Sequence, residues 1–303
     1  MHPQQRPFLA LGLRLVAMAF LSISLVFVKL GGQRALALPE MLFWRQCIPA
    51  FLLAGWLAAR GQLFRLKTER PWIHARRALI GTTGMFMTLG VVRLLPLAEA
   101  TILGFTTPIF AVLLASWFLR EQVGPWRWGA VALGLAGVIV IAGPDRGHLP
   151  LLGLVVGLGA AFFVALVSIQ LRDLGRTEEP ICIVFWFSAL GTLMLSPSLL
   201  LAAPPYSMSD WLMIAGLGLT GMIAQLCMTA ALRFGSVSAV IVMDYSQLAW
   251  ATLWGWLLFA QLPPATTWLG GPLIVAAGLI IAWRERVRHL PPAIDPQGAP
   301  NAD

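Results

Sequence analysis

Long apolar runs cut by short polar punctuation make up almost the whole chain. Crossing the hydrocarbon core as a helix takes about 20 mostly apolar residues. Ten runs qualify: 8–30, 39–59, 75–95, 97–119, 126–143, 150–172, 180–202, 210–232, 237–260 and 267–283. Between them lie Gly31-Gly32, the stretch 60–71, Gly124-Pro125, Gly143-Pro144, Glu178-Glu179-Pro180, Pro204-Pro205 and Pro263-Pro264. These are turn and breaker residues. Only Pro96 separates the third run from the fourth. No stretch alternates with a period of two, which excludes a membrane β-barrel. The pattern predicts an all-α integral membrane protein of ten spans.

Composition agrees. Of 303 residues, 58% are hydrophobic and 11% charged, against about 25% charged in soluble globular chains. A soluble fold could not hide that much apolar surface behind so few charges. Cys47, Cys182 and Cys227 form no CxxC pair and sit in apolar runs, so they read as packing residues rather than a disulfide framework. The first run carries Arg6 and Arg14 but is too long for a signal-peptide core of about 7–15 residues, which predicts an uncleaved span.

The net charge of +8 would suggest nucleic acid in a soluble protein. Here its distribution across the bilayer matters more. Arg45 falls inside the second run. Of the other 20 Lys and Arg, 16 fall on the side of the N-terminus, the 60–77 loop, the 120–127 loop and the C-terminal end; Lys29, Arg34, Arg93 and Arg146 fall on the other. Positive residues concentrate on the cytoplasmic side. Both termini are therefore expected there, in a bacterial inner (plasma) membrane, with the lipid bilayer as partner and no role for nucleic acid.

The two halves echo each other. At an offset of 140, Arg93 meets Arg233, Phe105 meets Tyr245, Ala111 meets Ala251 and Leu113 meets Leu253. At 141, Gly129 meets Gly270, Ala136 meets Ala277 and Gly137 meets Gly278. A repeat of five spans must insert its second copy upside down, because five is odd. Two inverted five-helix repeats follow, over 1–143 and 144–290, with 291–303 expected to be a disordered cytoplasmic tail. Inverted repeats are common in secondary transporters, which bind near the midplane where the repeats meet.

Residues 95–141, LPLAEATILGFTTPIFAVLLASWFLREQVGPWRWGAVALGLAGVIVI, and residues 243–282, MDYSQLAWATLWGWLLFAQLPPATTWLGGPLIVAAGLIIA, resemble the two repeats of the EamA family of the drug/metabolite transporter superfamily. The resemblance spans essentially all ten runs. It implies an inner-membrane carrier of amino acids, vitamins, nucleotide-linked metabolites or drugs, often an exporter. Family members carry Glu at the ends of the fourth and ninth spans; this chain has Glu121 and then Gln261.

Polar groups inside spans are the candidate substrate-binding residues, since ionisable groups at that depth are expensive. Asp244 lies about seven residues, or ~10 Å, into the ninth run, with Gln247 on the same face and Tyr245 and Trp250 nearby. It either serves the site or holds a neighbouring helix. Glu99 lies two residues into the fourth run. Arg45, flanked by Trp44 and Gln46, lies about six residues into the second, where EamA-like chains commonly carry Arg. It offers a fork of donors to a carboxylate or phosphate, or else snorkels or pairs with a buried carboxylate. Pro108, with Phe105 close by, breaks the centre of the fourth run. Arg93 and Arg233 are expected to anchor span ends.

Residues 216–221 form a GxGxxG inside an apolar run with no preceding strand, so close helix packing is the sounder reading. The best functional reading is a secondary active transporter of small organic metabolites, exporting by alternating access, without cofactor or metal and compatible with a homodimer. The alternatives are a membrane-embedded enzyme and a non-transporting structural membrane protein. The enzyme is disfavoured because the sequence shows no mid-span His, no Cys/His or Ser/His pair and no HExxH. No Walker A motif is present for ATP-driven transport.

Overall fold

A computed structural model describes residues 7–34, 36–118, 125–142, 150–175, 177–201, 206–234 and 242–288. The α-helices among them are α1 (Pro7–Gln33), α2 (Leu38–Ala59), α3 (Pro71–Leu94), α4 (Leu97–Gly104), α5 (Thr107–Phe118), α6 (Pro125–Ala142), α7 (Leu151–Leu174), α8 (Pro180–Leu195), α9 (Met208–Phe234), α10 (Ser246–Phe259) and α11 (Ala265–Arg288). Helices α4 and α5 are two halves of one span, and a 3₁₀ turn, Val242–Tyr245, leads into α10. Among the described residues the result is ten membrane-spanning helices and no strand. The expected tail and Glu121 lie outside the described residues, as does the side chain of Arg233.

Proline sets several boundaries. It opens α3, α6 and α8, since the first turn has no use for its missing N–H. At Pro197, α8 gives way to the 3₁₀ turn Ser196–Leu201, because proline cannot continue the α ladder. Helix α10 ends with Ala260 in the left-handed region at φ 51°. Its N–H bonds Trp256 O and the next N–H, of Gln261, bonds Gly255 O, the usual paired closure of a helix end.

Packing obeys a pseudo-two-fold rule. When each span is exchanged with the one five later, the contact between α1 and α9 becomes that between α7 and α3, and α2 with α9 becomes α8 with α3. The pairs α2 with α8 and α6 with α11 map onto themselves. Phe105 and Tyr245, equivalent in the sequence repeat, meet edge to face with ring centroids 4.9 Å apart. Equivalent residues can touch in this way only on the axis relating the halves. Helices α6 and α11 come close through glycine. A Cβ on Gly270 would fall 2.6 Å from the Gly137 carbonyl oxygen, so only hydrogen fits between the backbones.

The buried core gathers Leu42, Leu89, Leu103, Leu217 and Ile274 from both halves. Phe51, Leu79, Leu151, Leu193 and Trp256 point outward, as a lipid-facing surface requires. Residues 216–221 lie wholly inside α9, with Gly216 against Phe27 and Gly218 against Ile48, which accounts for that glycine motif by close packing.

Candidate functional site

Most of the sequence candidates fall in three places. The first is a small cavity where α2, α8 and α9 meet, lined by Arg45, Gln46, Pro49, Val184, Phe187, Ser188, Gly221, Met222 and Gln225. At about 10 Å³ it has room for roughly one water. Arg45 is the eighth residue of α2, and only 7% of it is exposed. Its Nη1 points at Met85 Sδ, 2.6 Å away, and its Nε has no partner. Among the described residues no carboxylate pairs with it. Gln46, also buried, donates from Nε2 to the Phe187 carbonyl at 3.3 Å. A desolvated guanidinium whose one hydrogen-bond contact among the described residues is a thioether keeps most of its donor fork open for an anion.

The second place is the contact of spans four and nine on the pseudo-two-fold axis, with Phe105, Tyr245 and Pro108. The threonines beside Pro108 supply the bonds that its missing N–H leaves open. Thr107 Oγ1 donates to Gly104 O at 2.7 Å and Thr106 Oγ1 to Leu103 O at 2.6 Å, so the freed carbonyls are satisfied locally. The Tyr245 hydroxyl is buried without a partner. Gln247 lies a short way along α10, half-buried.

The third place is an ion pair. Asp244 takes a two-pronged bond from Arg14 on α1, Nε to Oδ1 and Nη2 to Oδ2, the latter at 2.6 Å. Arg14, expected to act as a topological charge, is instead nearly buried. The more deeply buried carboxylate is Glu99, at 1% exposure. Its Oε1 accepts a long bond of 3.4 Å from Thr267, and its Oε2 has none.

Two aromatic candidates point elsewhere. Trp44 packs against Phe43 and Trp211 and is not among the cavity-lining residues. Trp250 is 36% exposed on α10. Gln261 accepts from Lys29 Nζ at 2.8 Å, so the amide standing where family members carry Glu still meets a cation. Arg93 donates from Nη2 to Leu36 O at 2.8 Å, fastening the loop between α1 and α2.

At the end holding the α2–α3 connection, side chains of the two halves are tied together. Arg65 meets Glu179 at 2.6 Å and Arg70 meets Asp173 at 2.7 Å. No Cys/His pair was apparent in the sequence, yet the fold brings His74, Glu178 and Cys182 together, with ligand atoms within 4.8 Å of one another. Their separation along the chain hid the grouping. Glu178 already accepts from Thr68 Oγ1 at 2.6 Å and from Cys182 Sγ at 3.4 Å, so the group serves as a hydrogen-bonded clasp.

The profile of the EamA-like transporter family matches residues 8–143 and again 151–283. The chain belongs to that family. A riboflavin transporter from Rhizobium johnstonii is 31% identical over 94% of this chain and 94% of its own length. The pseudopaline exporter CntI of Pseudomonas aeruginosa is 27% identical over 80% of this chain and 85% of its own. One crystal structure superposes with a TM-score of 0.63 at 20% identity, covering 92% of this chain and 99% of that one, which bears on the fold alone. EamA proteins are transporters rather than enzymes, and this chain is a multi-pass carrier of small metabolites.

Proposed function

We propose that the protein is a secondary active transporter of the inner membrane that binds a small metabolite through an anionic group at Arg45 and moves it by alternating access of its two halves. One observation carries the reading: Arg45 is buried, faces a small cavity that Gln46, Ser188 and Gln225 also line, and has no carboxylate partner among the described residues. A buried charge without a counter-charge is unfavourable, and an anionic substrate supplies what is missing. The charge bias along the sequence supports cytoplasmic termini, and the exporter among the relatives supports net export.

A ligand-stabilisation screen of the purified protein against amino acids, vitamins and nucleotides tests the site. Stabilising compounds are expected to carry a carboxylate or phosphate and to lose their effect in Arg45→Ala. Undiminished affinity in Arg45→Ala would remove Arg45 from the site. A second reading is favoured by the 31% identical relative: riboflavin itself, with Arg45 donating to ring carbonyls. A riboflavin response in the screen would select it. Transport of any hit in oriented vesicles then reports the direction.

Asp244 is the proposed coupling carboxylate. Its partner Arg14 lies on another helix, so protonating Asp244 would release a contact between spans one and nine. Asp244→Asn should abolish accumulation driven by an imposed pH gradient in proteoliposomes while leaving substrate exchange. Full gradient-driven uptake in that variant would show that coupling runs elsewhere, with Glu99 the next candidate.

A further inference from the structure

Arg77 has no part in the mechanism above, and its position in the first cytoplasmic loop of the sequence pattern gave it only a topological role. In the fold it is the seventh residue of α3, 2% exposed, with Nε and Nη1 lacking any acceptor. Of the acidic groups at this end, Glu179 is engaged by Arg65, Asp173 by Arg70, and Glu178 by Thr68 and Cys182, with His74 Nε2 3.7 Å away, while Glu69 is exposed in the α2–α3 connection. Arg77 instead lies over the Phe187 ring, its guanidinium carbon 4.2 Å from the centroid. Such a contact offsets part of the desolvation penalty but leaves the donor fork open.

Phe187 also lines the Arg45 cavity. The two arginines are linked a second way, along one stripe of α3. Arg77, Gly81 and Met85 are spaced by four and share a face. The Arg77 head lies against Gly81, and a Cβ there would also fall 2.8 Å from Phe187 Cε2. Met85 Sδ meets Arg45 Nη1. Gly81 and Met85, the residues of α3 that meet the two guanidinium heads, are about one helical turn, ~6 Å, apart along α3.

We propose that Arg77 is a second anion-binding residue of the same site, on the cytoplasmic side of Arg45. The compound admitted there carries two negative charges, as a phosphate monoester or as two carboxylates. This rests on the reading of Arg45 as an anion anchor.

The test is thermal stabilisation of the full-length protein in detergent by inorganic phosphate, succinate or acetate, at millimolar concentration and constant ionic strength. The Arg45→Gln/Arg77→Gln double variant serves as the blank for general salt effects. The parent should respond to phosphate or succinate well above that blank, and phosphate against succinate tells the two forms of dianion apart. Arg77→Gln should weaken the dianion response about tenfold, and by more than it weakens the acetate response. Gly81→Ala, which keeps the charge but displaces the Arg77 head, should act in the same direction. It and Arg77→Lys stand in if Arg77→Gln fails to fold. Equal dianion response in the parent and the Arg77 and Gly81 variants, or none in the parent, overturns the proposal. Loss in Arg77→Gln with none in Arg45→Gln would instead overturn the reading of Arg45 and leave Arg77 as the anion site.

Discussion

Arg14 and Arg45 are each the eighth residue of their helix and each more than nine-tenths buried, yet the fold treats them in opposite ways. Arg14 meets Asp244 with both prongs of its guanidinium. Arg45 meets a methionine sulfur and a small cavity that Gln46, Ser188 and Gln225 also line. A charge satisfied inside the protein contributes to holding helices together. A charge left unsatisfied weakens the empty protein and gains a partner only when something binds. The difference separates a residue that latches two spans from one that awaits a ligand, although the two are the same residue type at the same helical position.

The largest effect should come from removing the unsatisfied charge. Arg45→Met is expected to lower kcat/KM by about 100-fold, in the range for truncating one partner of a buried charge pair. The empty variant should melt at or above the parent temperature, because an uncompensated buried charge is gone. A clear fall in melting temperature with retained transport would reverse the assignment.

Breaking the latch should do the opposite to stability. Breaking a fully buried pair costs about 3–5 kcal/mol, and the Asp244 side chain is 27% exposed. About 2 kcal/mol of destabilisation is therefore expected for Asp244→Ala by chemical unfolding in detergent. Arg14→Met/Asp244→Leu should recover most of it, since no charge is then stranded. If the double variant is no more stable than the single one, the pair is not the source of the loss.

The smallest effect is expected at Trp44, which neighbours Arg45 in sequence but packs on Trp211. Trp44→Phe should change substrate affinity less than about twofold, as interface positions away from an anchoring group usually do. A tenfold loss would place the indole in the site and widen the cavity region to include it.

Much of the architecture was legible. Apolar run length marked the spans. Pro108 marked the break between α4 and α5, and the offset of 140 paired Phe105 with Tyr245, which turn out to touch. Arg45 and Gln46 stood out because polar residues are rare in such runs. Arg77 did not, because near a helix end a buried arginine and an interfacial one look alike. The stripe of Arg77, Gly81 and Met85 was a faint signal, since small residues permit close approach, but α3 is apolar on several faces and the sequence does not say which meets protein. Trp44 was grouped with Arg45 by adjacency, whereas successive residues on a helix diverge by ~100°.

The sequence by itself determined how many times the chain crosses the membrane, where one span breaks and that the second half repeats the first. These follow from hydrophobicity, proline chemistry and counting, all of which act locally or sum along the chain. Only the tertiary structure decided which charges are satisfied. Arg14 and Asp244 are 230 residues apart, Arg77 reaches Phe187 from another helix, and Arg45 meets Met85 with no acidic side chain of the described residues paired to it. Pairing depends on which helix faces turn toward each other at a common depth, and that is fixed by the packing of all the spans together.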